Sequence, residues 1–137
     1  DKSTWYSCTS NNGALQCDLS FDVSGVAGDS ITKDVYLKND ATVNAVVKLD
    51  TTCPTDFPTK EETTSGEVKC YADEAKQKLG VTITYKLEDK DNNTVDSTNG
   101  KYTLENGKSP YKLTISYTFV INAEPKDYEI ITQVTPA

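Results

Sequence analysis

Apolar and polar residues alternate with a period of two along much of this chain, and that alternation is the signature of strands with one face buried. Leu15, Cys17, Leu19, Phe21 and Val23 are interleaved with Gln16, Asp18, Ser20 and Asp22. The same period places Val35 with Leu37, Val43 with Ala45, Val47 and Leu49, and Val81 with Ile83, Tyr85 and Leu87. The longest run is Tyr111, Leu113, Ile115, Tyr117, Phe119 and Ile121, with Lys112, Thr114, Ser116 and Thr118 on the other face. A last strand is predicted over Tyr128 to Val134. Only Ala72 to Leu79 reads as a helix, of about two turns, with Gly80 at a helix-terminating position. Pro54, Pro58 and the polar stretch Lys60 to Gly66 predict a long loop between Cys53 and Cys70. Short strands separated by Asn-Gly and Asp-Asn turns predict an all-β fold, a two-sheet sandwich of the jelly-roll or immunoglobulin-like kind with one short helix. No repeat or interdomain linker interrupts residues 1–137, which read as a single domain.

The cysteines add covalent constraints. Asn12-Gly13 suits the two central positions of a type I′ turn, both of which need positive φ. With that turn at the tip, residue 11 faces 14, 10 faces 15, 9 faces 16, and Cys8 faces Cys17. Pairs alternate outward from the turn, so Cys8 and Cys17 form a non-hydrogen-bonded pair with Cα atoms about 4.5 Å apart, within disulfide range. This predicts a Cys8–Cys17 bridge and leaves Cys53–Cys70 by elimination. An even cysteine number with no Cys-x-x-Cys spacing favours disulfides over a zinc or redox site.

Composition then narrows the chemistry. The chain carries 14 Lys and no Arg against 21 Asp plus Glu, a formal net charge of -7. Without Arg there is no bidentate clamp for phosphate or guanine, and the acidic balance repels a nucleic-acid backbone. The absence of His removes Ser-His and Cys-His nucleophile pairs and His-based zinc sites. Nineteen Thr and 8 Tyr favour strands over helices. No apolar run approaches the roughly 18 residues of a membrane span, and the opening Asp1-Lys2 reads as a mature chain after removal of a signal peptide. With two disulfides expected, the predicted location is extracellular or at the cell surface.

Few motifs carry chemistry of their own. Asp89, Asp91 and Asn93 have the opening spacing of a calcium loop, since a hard cation needs oxygen ligands at alternate positions. The sixth position is Thr94 where Gly is expected and the twelfth is Gly100 where Glu is expected, so a solvated hairpin loop is the preferred reading and no cofactor is assigned. Asn92-Asn93-Thr94 is a glycosylation sequon, which makes Asn92 a candidate acceptor. Nothing singles out a carboxylate pair for glycoside hydrolysis, and no catalytic residue is assigned. Trp5 and Tyr6 are large groups near a chain end, suited either to packing on their own hairpin or to entering a groove on a neighbouring molecule.

Gly28-Asp29-Ser30-Ile31-Thr32-Lys33-Asp34-Val35-Tyr36-Leu37-Lys38-Asn39, followed by Ala45-Val46-Val47-Lys48-Leu49, resembles the TasA/camelysin family of secreted biofilm-fibre proteins, with its Gly-Asp turn, Thr-Lys-Asp strand opening and strand ending at Asn. Lys112 to Phe119 is similar to that family's late strand. The resemblance implies a jelly-roll subunit of an extracellular filament, a pilus or biofilm-matrix fibre, as in TasA fibres and archaeal bundling pili. Such subunits assemble head-to-tail by donating a terminal strand to the next copy, and filaments can bundle laterally. The donor implied here is Asp1, Lys2, Ser3, Thr4, Trp5, Tyr6 and Ser7, ahead of the Cys8–Cys17 staple. The whole disulfide hairpin or the strand Tyr128 to Ala137 are alternative donors. Family members lack these cysteines, and the metallopeptidase label borne by some camelysin relatives has no support in a chain without His or a zinc-helix motif. The competing reading is a monomeric secreted adhesin or carbohydrate-binding module that uses Asp89 to Gly100 and adjacent loops as its contact surface.

Overall fold

The computed structural model describes residues 5–7, 9–11, 14–25, 30–39, 42–63, 66–72, 80–98, 100–119 and 126–136, with the backbone alone for 5–25, 126–127 and 135–136. These residues form eleven strands: β1 (Trp5–Ser7), β2 (Thr9–Asn11), β3 (Ala14–Gly25), β4 (Ser30–Lys38), β5 (Ala45–Thr52), β6 (Thr59–Glu62), β7 (Val68–Tyr71), β8 (Gly80–Glu88), β9 (Lys101–Leu104), β10 (Tyr111–Phe119) and β11 (Lys126–Pro136). They make two sheets, ordered β1-β4-β10-β8-β7-β6 and β2-β3-β11-β5-β9. Among the described residues every pairing is antiparallel except β1 with β4. The all-β, two-sheet expectation therefore holds.

Alternation explains the layers. β10 lies inside the first sheet, between β4 and β8, and its Tyr111, Leu113, Ile115, Tyr117 and Phe119 are all buried. From the facing sheet, Ala45 and Val47 of β5, Leu104 of β9 and Tyr128, Ile130 and Val134 of β11 join the same core. Burial of one such Leu or Ile side chain contributes roughly 1.5–3 kcal/mol. Tyr128 stacks in tilted geometry on Phe57 at 5.2 Å and on Phe119 at 5.4 Å, so the loop after β5 is pinned over the core by an aromatic side chain.

The Asn-Gly hairpin has the expected register, with Thr9 opposite Gln16, Ser10 opposite Leu15 and Asn11 opposite Ala14. The Cys8–Cys17 bridge itself lies outside the described residues. Cys53 and Cys70 are bonded, with Cα atoms 5.7 Å apart. Cys53 follows β5 of one sheet and Cys70 lies on β7 of the other, so the bridge staples the two layers together.

Several expectations are corrected. The segment between Cys53 and Cys70 is not simply a loop, because Thr59–Glu62 and Val68–Tyr71 pair as the β6–β7 hairpin at the sheet edge. Thr59 to Glu62 carry no apolar alternation because β6 is an exposed edge strand whose ladder bonds come from its backbone. Val43 is not in a strand: it is 54% exposed in the bend before β5, held there by Asn39, whose Nδ2 donates to the carbonyls of Val43 (3.1 Å) and Leu104 (2.9 Å). Gly80 does not have the left-handed conformation expected of a helix terminator. It opens β8 opposite Tyr71, where a Cβ would lie 1.8 Å from the carbonyl oxygen of Cys70. The helix expected after Ala72, over residues 73–79, and the predicted strand residue Ile121 lie outside the described residues.

Two stability outcomes follow. Replacing Cys53 and Cys70 by Ala, with a sequence separation of 17, should cost about 3 kcal/mol through the regained loop entropy of the unfolded chain, read as a lower midpoint in urea unfolding. Gly80→Ala should cost ~2–3 kcal/mol in the same assay, because backbone and not a flexible side chain blocks the added methyl.

Candidate functional site

Three regions stand out, two of them marked by the sequence. In the first, the N-terminal segment, Trp5–Ser7 form β1, in parallel register with the end of β4: Trp5 with Tyr36, Tyr6 with Leu37 and Ser7 with Lys38. Asp1 to Thr4 lie outside the described residues, as do the side chains of Trp5 and Tyr6. β4 is paired to β10 over Ser30–Leu37, whereas on its outer side β1 covers Tyr36 to Lys38 alone among the described residues. The parallel geometry matters because it lets a short segment join this edge without a hairpin connection to it.

The second region is the turn after β8. Asp89 is buried, and its Oδ1 accepts the N–H groups of Asp91 (2.9 Å) and Asn93 (3.0 Å). Burial alone would raise its carboxyl pKa, but the backbone bonds from Asn93 and Asp91, together with Lys108, hold it below the ordinary value. One oxygen of the first proposed calcium ligand is thus engaged in an Asx turn. Among the described residues no three Asp, Glu or Cys side chains are grouped as metal ligands. Asn92, the sequon acceptor, is exposed with a φ of 65° at the apex, and its N–H donates to the Asp89 carbonyl at 3.0 Å. Asn is among the few residues that tolerate that left-handed backbone.

A cleft of about 380 Å³, which the sequence reading did not identify, is the third region. It lies between the edges of the two sheets. β9 pairs with β5 over Ala45–Lys48 and stops there, so the facing β6–β7 hairpin and β8 look into the space beside Leu49. Tyr85 and Tyr102 line it together with Lys48, Glu62, Thr63 and Ser97. Of the contact segment expected over Asp89 to Gly100, Ser97 and Gly100 belong to this cleft and Asp89, Asp91 and Asn93 do not.

Behind the cleft is a buried hydroxyl cluster. Thr51 and Thr132 are directly paired across β5 and β11, and both are buried. The Tyr85 hydroxyl reaches from the opposite sheet to hydrogen-bond Thr51 Oγ1, and it is 3.2 Å from Thr132 Oγ1. Lys60 Nζ donates to the Thr51 carbonyl at 2.8 Å. Burial pushes the Tyr85 phenol above its ordinary value, opposed by these two threonine hydrogen bonds. Tyr102 is raised by burial and opposed by a hydrogen bond from Ser97. Tyr117 is fully buried nearby and its Oη lacks a hydrogen bond. Burial raises its phenol strongly, and the Tyr85 phenol adds to the rise. The available signal was two threonines on otherwise apolar strand faces, Thr51 after Leu49 and Thr132 between Ile130 and Val134.

These phenols give a pH dependence of definite sign. A phenol whose folded pKa is raised contributes stability that is complete below its ordinary value of 10.0 and is lost as pH rises above it. Absorbance at 295 nm should therefore show Tyr85, Tyr102, Tyr111 and Tyr117 resisting ionisation past pH 10 and then ionising together with loss of the near-ultraviolet circular dichroism. Ionisation of all 8 tyrosines at the ordinary value, with the fold intact, would contradict this.

No protein-family model, curated protein or solved structure matches this chain.

Proposed function

We propose that this chain is the structural subunit of an extracellular filament, a jelly-roll-like sandwich that assembles by donating its N-terminal strand, Asp1 to Ser7, to the next copy. The observation carrying this reading is the edge of β4, a nine-residue strand whose outer side is covered among the described residues by a three-residue parallel partner. A donor running in that same register would extend back from Tyr36 toward Thr32 as its residues run from Trp5 to Asp1. Backbone groups left open on a strand edge favour such addition.

Exchange between copies retains the hydrogen bonds made within one copy, so the balance is set by the linker and by concentration. β11 is a poorer donor. It is paired on both sides, to β3 over Lys126–Val134 and to β5 over Ile131–Pro136, and its removal would open the middle of a sheet. The resemblance of residues 28–39 and 45–49 to secreted biofilm-fibre proteins agrees with this reading, as does a Cys53–Cys70 disulfide, which suits an oxidising compartment. No helix among the described residues is long and apolar enough to cross a membrane. Filament assembly requires no catalytic group, metal or cofactor.

Negative-stain microscopy of the non-reduced protein and of a variant lacking Asp1 to Ser7 tests the reading. The full chain should form uniform fibres, and the truncation should stay monomeric while keeping its β-type circular dichroism. Fibres from the truncated chain would rule out N-terminal donation, and a full chain that remains monomeric at every concentration and calcium level tried would overturn filament assembly.

A further inference from the structure

The cleft between the sheet edges has a composition that narrows its occupant. Its apolar floor includes Leu49 and Val68, and Tyr85 and Tyr102 supply aromatic rings. Lys48, Glu62, Thr63 and Ser97 add a cation, a carboxylate and two hydroxyls. A purely apolar ligand would desolvate those polar groups without replacing their hydrogen bonds. A phosphorylated ligand would meet Glu62 in a chain with a net charge of -7 and no Arg. A neutral sugar ring avoids both penalties, because its axial C–H face packs on an aromatic ring while its hydroxyls both donate and accept hydrogen bonds.

Two further observations favour a ligand of that kind. The Tyr85 ring is held by its own hydroxyl, which hydrogen-bonds Thr51 Oγ1 and lies 3.2 Å from Thr132 Oγ1. A ring fixed before binding loses little conformational freedom when a ligand arrives. In addition, the volume of about 380 Å³ lies at the small end of ligand pockets, suited to a single ring and not to an extended peptide.

We propose that this cleft binds one pyranose unit of a neutral carbohydrate, with Tyr102 and Tyr85 as the aromatic platform and Glu62 and Lys48 as hydrogen-bonding partners for ring hydroxyls. The site is separate from the β4 edge and stands or falls independently of filament assembly. If the subunit does polymerise, each copy would present one such cleft, and single-site affinities in the millimolar range would add through multivalency.

The test is saturation-transfer NMR on the full chain with methyl β-glucoside, methyl α-mannoside, methyl β-galactoside and N-acetylglucosamine, and with cellobiose and maltose as fragments of a polysaccharide. At least one sugar should receive saturation, Tyr102→Phe should retain it, and Tyr102→Ala should weaken binding about tenfold through loss of an aromatic contact. A preference for the disaccharides would point to a polysaccharide chain as the source, and equal response to the monosaccharides would point to free sugar or chain ends; either supports the site. Glu62→Gln with Lys48→Gln, at exposed positions, should weaken the same signal and carries the test if Tyr102→Ala does not fold. Absence of transfer to all six sugars, or transfer unchanged in the variants that fold, overturns the proposal. Fibre formation is scored separately by microscopy, so neither result stands in for the other.

Discussion

Every strand presents backbone N–H and C=O groups in the plane of its sheet, and the need to satisfy or shield them at the edges governs the rest of this architecture. The interior strands β3, β4, β5, β8, β10 and β11 run from eight to twelve residues and interior β7 has four, while the strands that end the two sheets, β1, β2, β6 and β9, have three or four. Short edges offer little template for indiscriminate pairing. β6 is blunted further by exposed Lys60, Glu61 and Glu62. Among the described residues these devices leave long strands beside very short neighbours, β4 beside β1 and β3 beside β2, and of the two neighbours β1 alone joins in parallel register. The proposed assembly rests on the β4 edge, because a parallel partner can be supplied by another copy without a hairpin connection.

The opposite flank follows another rule. Because β9 ends after pairing with four residues of β5, the layers cannot close there with apolar side chains alone, and a hydroxyl cluster bridges the gap. Tyr85 spans from β8 to a threonine pair on the other sheet, and Lys60 reaches in to the Thr51 carbonyl. Polar groups at such a depth are tolerated when bonded, and partners in a region of low dielectric make the arrangement more specific than grease would be. The cleft in front of Tyr85 is thus a consequence of how the edge is finished, and the Tyr85 hydroxyl is anchored by the same cluster.

What could be read from the sequence depended on how local the determining interaction was. The β2–β3 register was legible from Asn12-Gly13 because a two-residue turn fixes pairing by itself, and the buried face of β10 from its strict alternation. β6 escaped notice because an exposed edge strand buries no side-chain stripe, so Thr59 to Glu62 look like loop. Gly80 was misread for a related reason. Its requirement comes from the close approach of the Cys70 carbonyl, ten positions earlier in the chain, and a lone glycine does not say whether it serves a turn or a contact. The cleft was least legible, because Lys48, Glu62, Tyr85 and Tyr102 belong to four strands that only the folded topology brings side by side. Asp89 lies between these extremes: its acidic spacing suggested a cation, while the bonds that occupy its oxygen are made to backbone amides that any sequence supplies.

The position of β11 has a consequence for how the molecule is made. This late strand lies between β3 and β5, and without it the second sheet falls into two separate pieces, β2 with β3 and β5 with β9. Partners so distant along the chain can meet only after the intervening residues have been synthesised, and topologies of this sort fold slowly. The second sheet of a nascent chain therefore stays in two pieces until residue 136 has emerged, so a finished sandwich is withheld until β11 has been made.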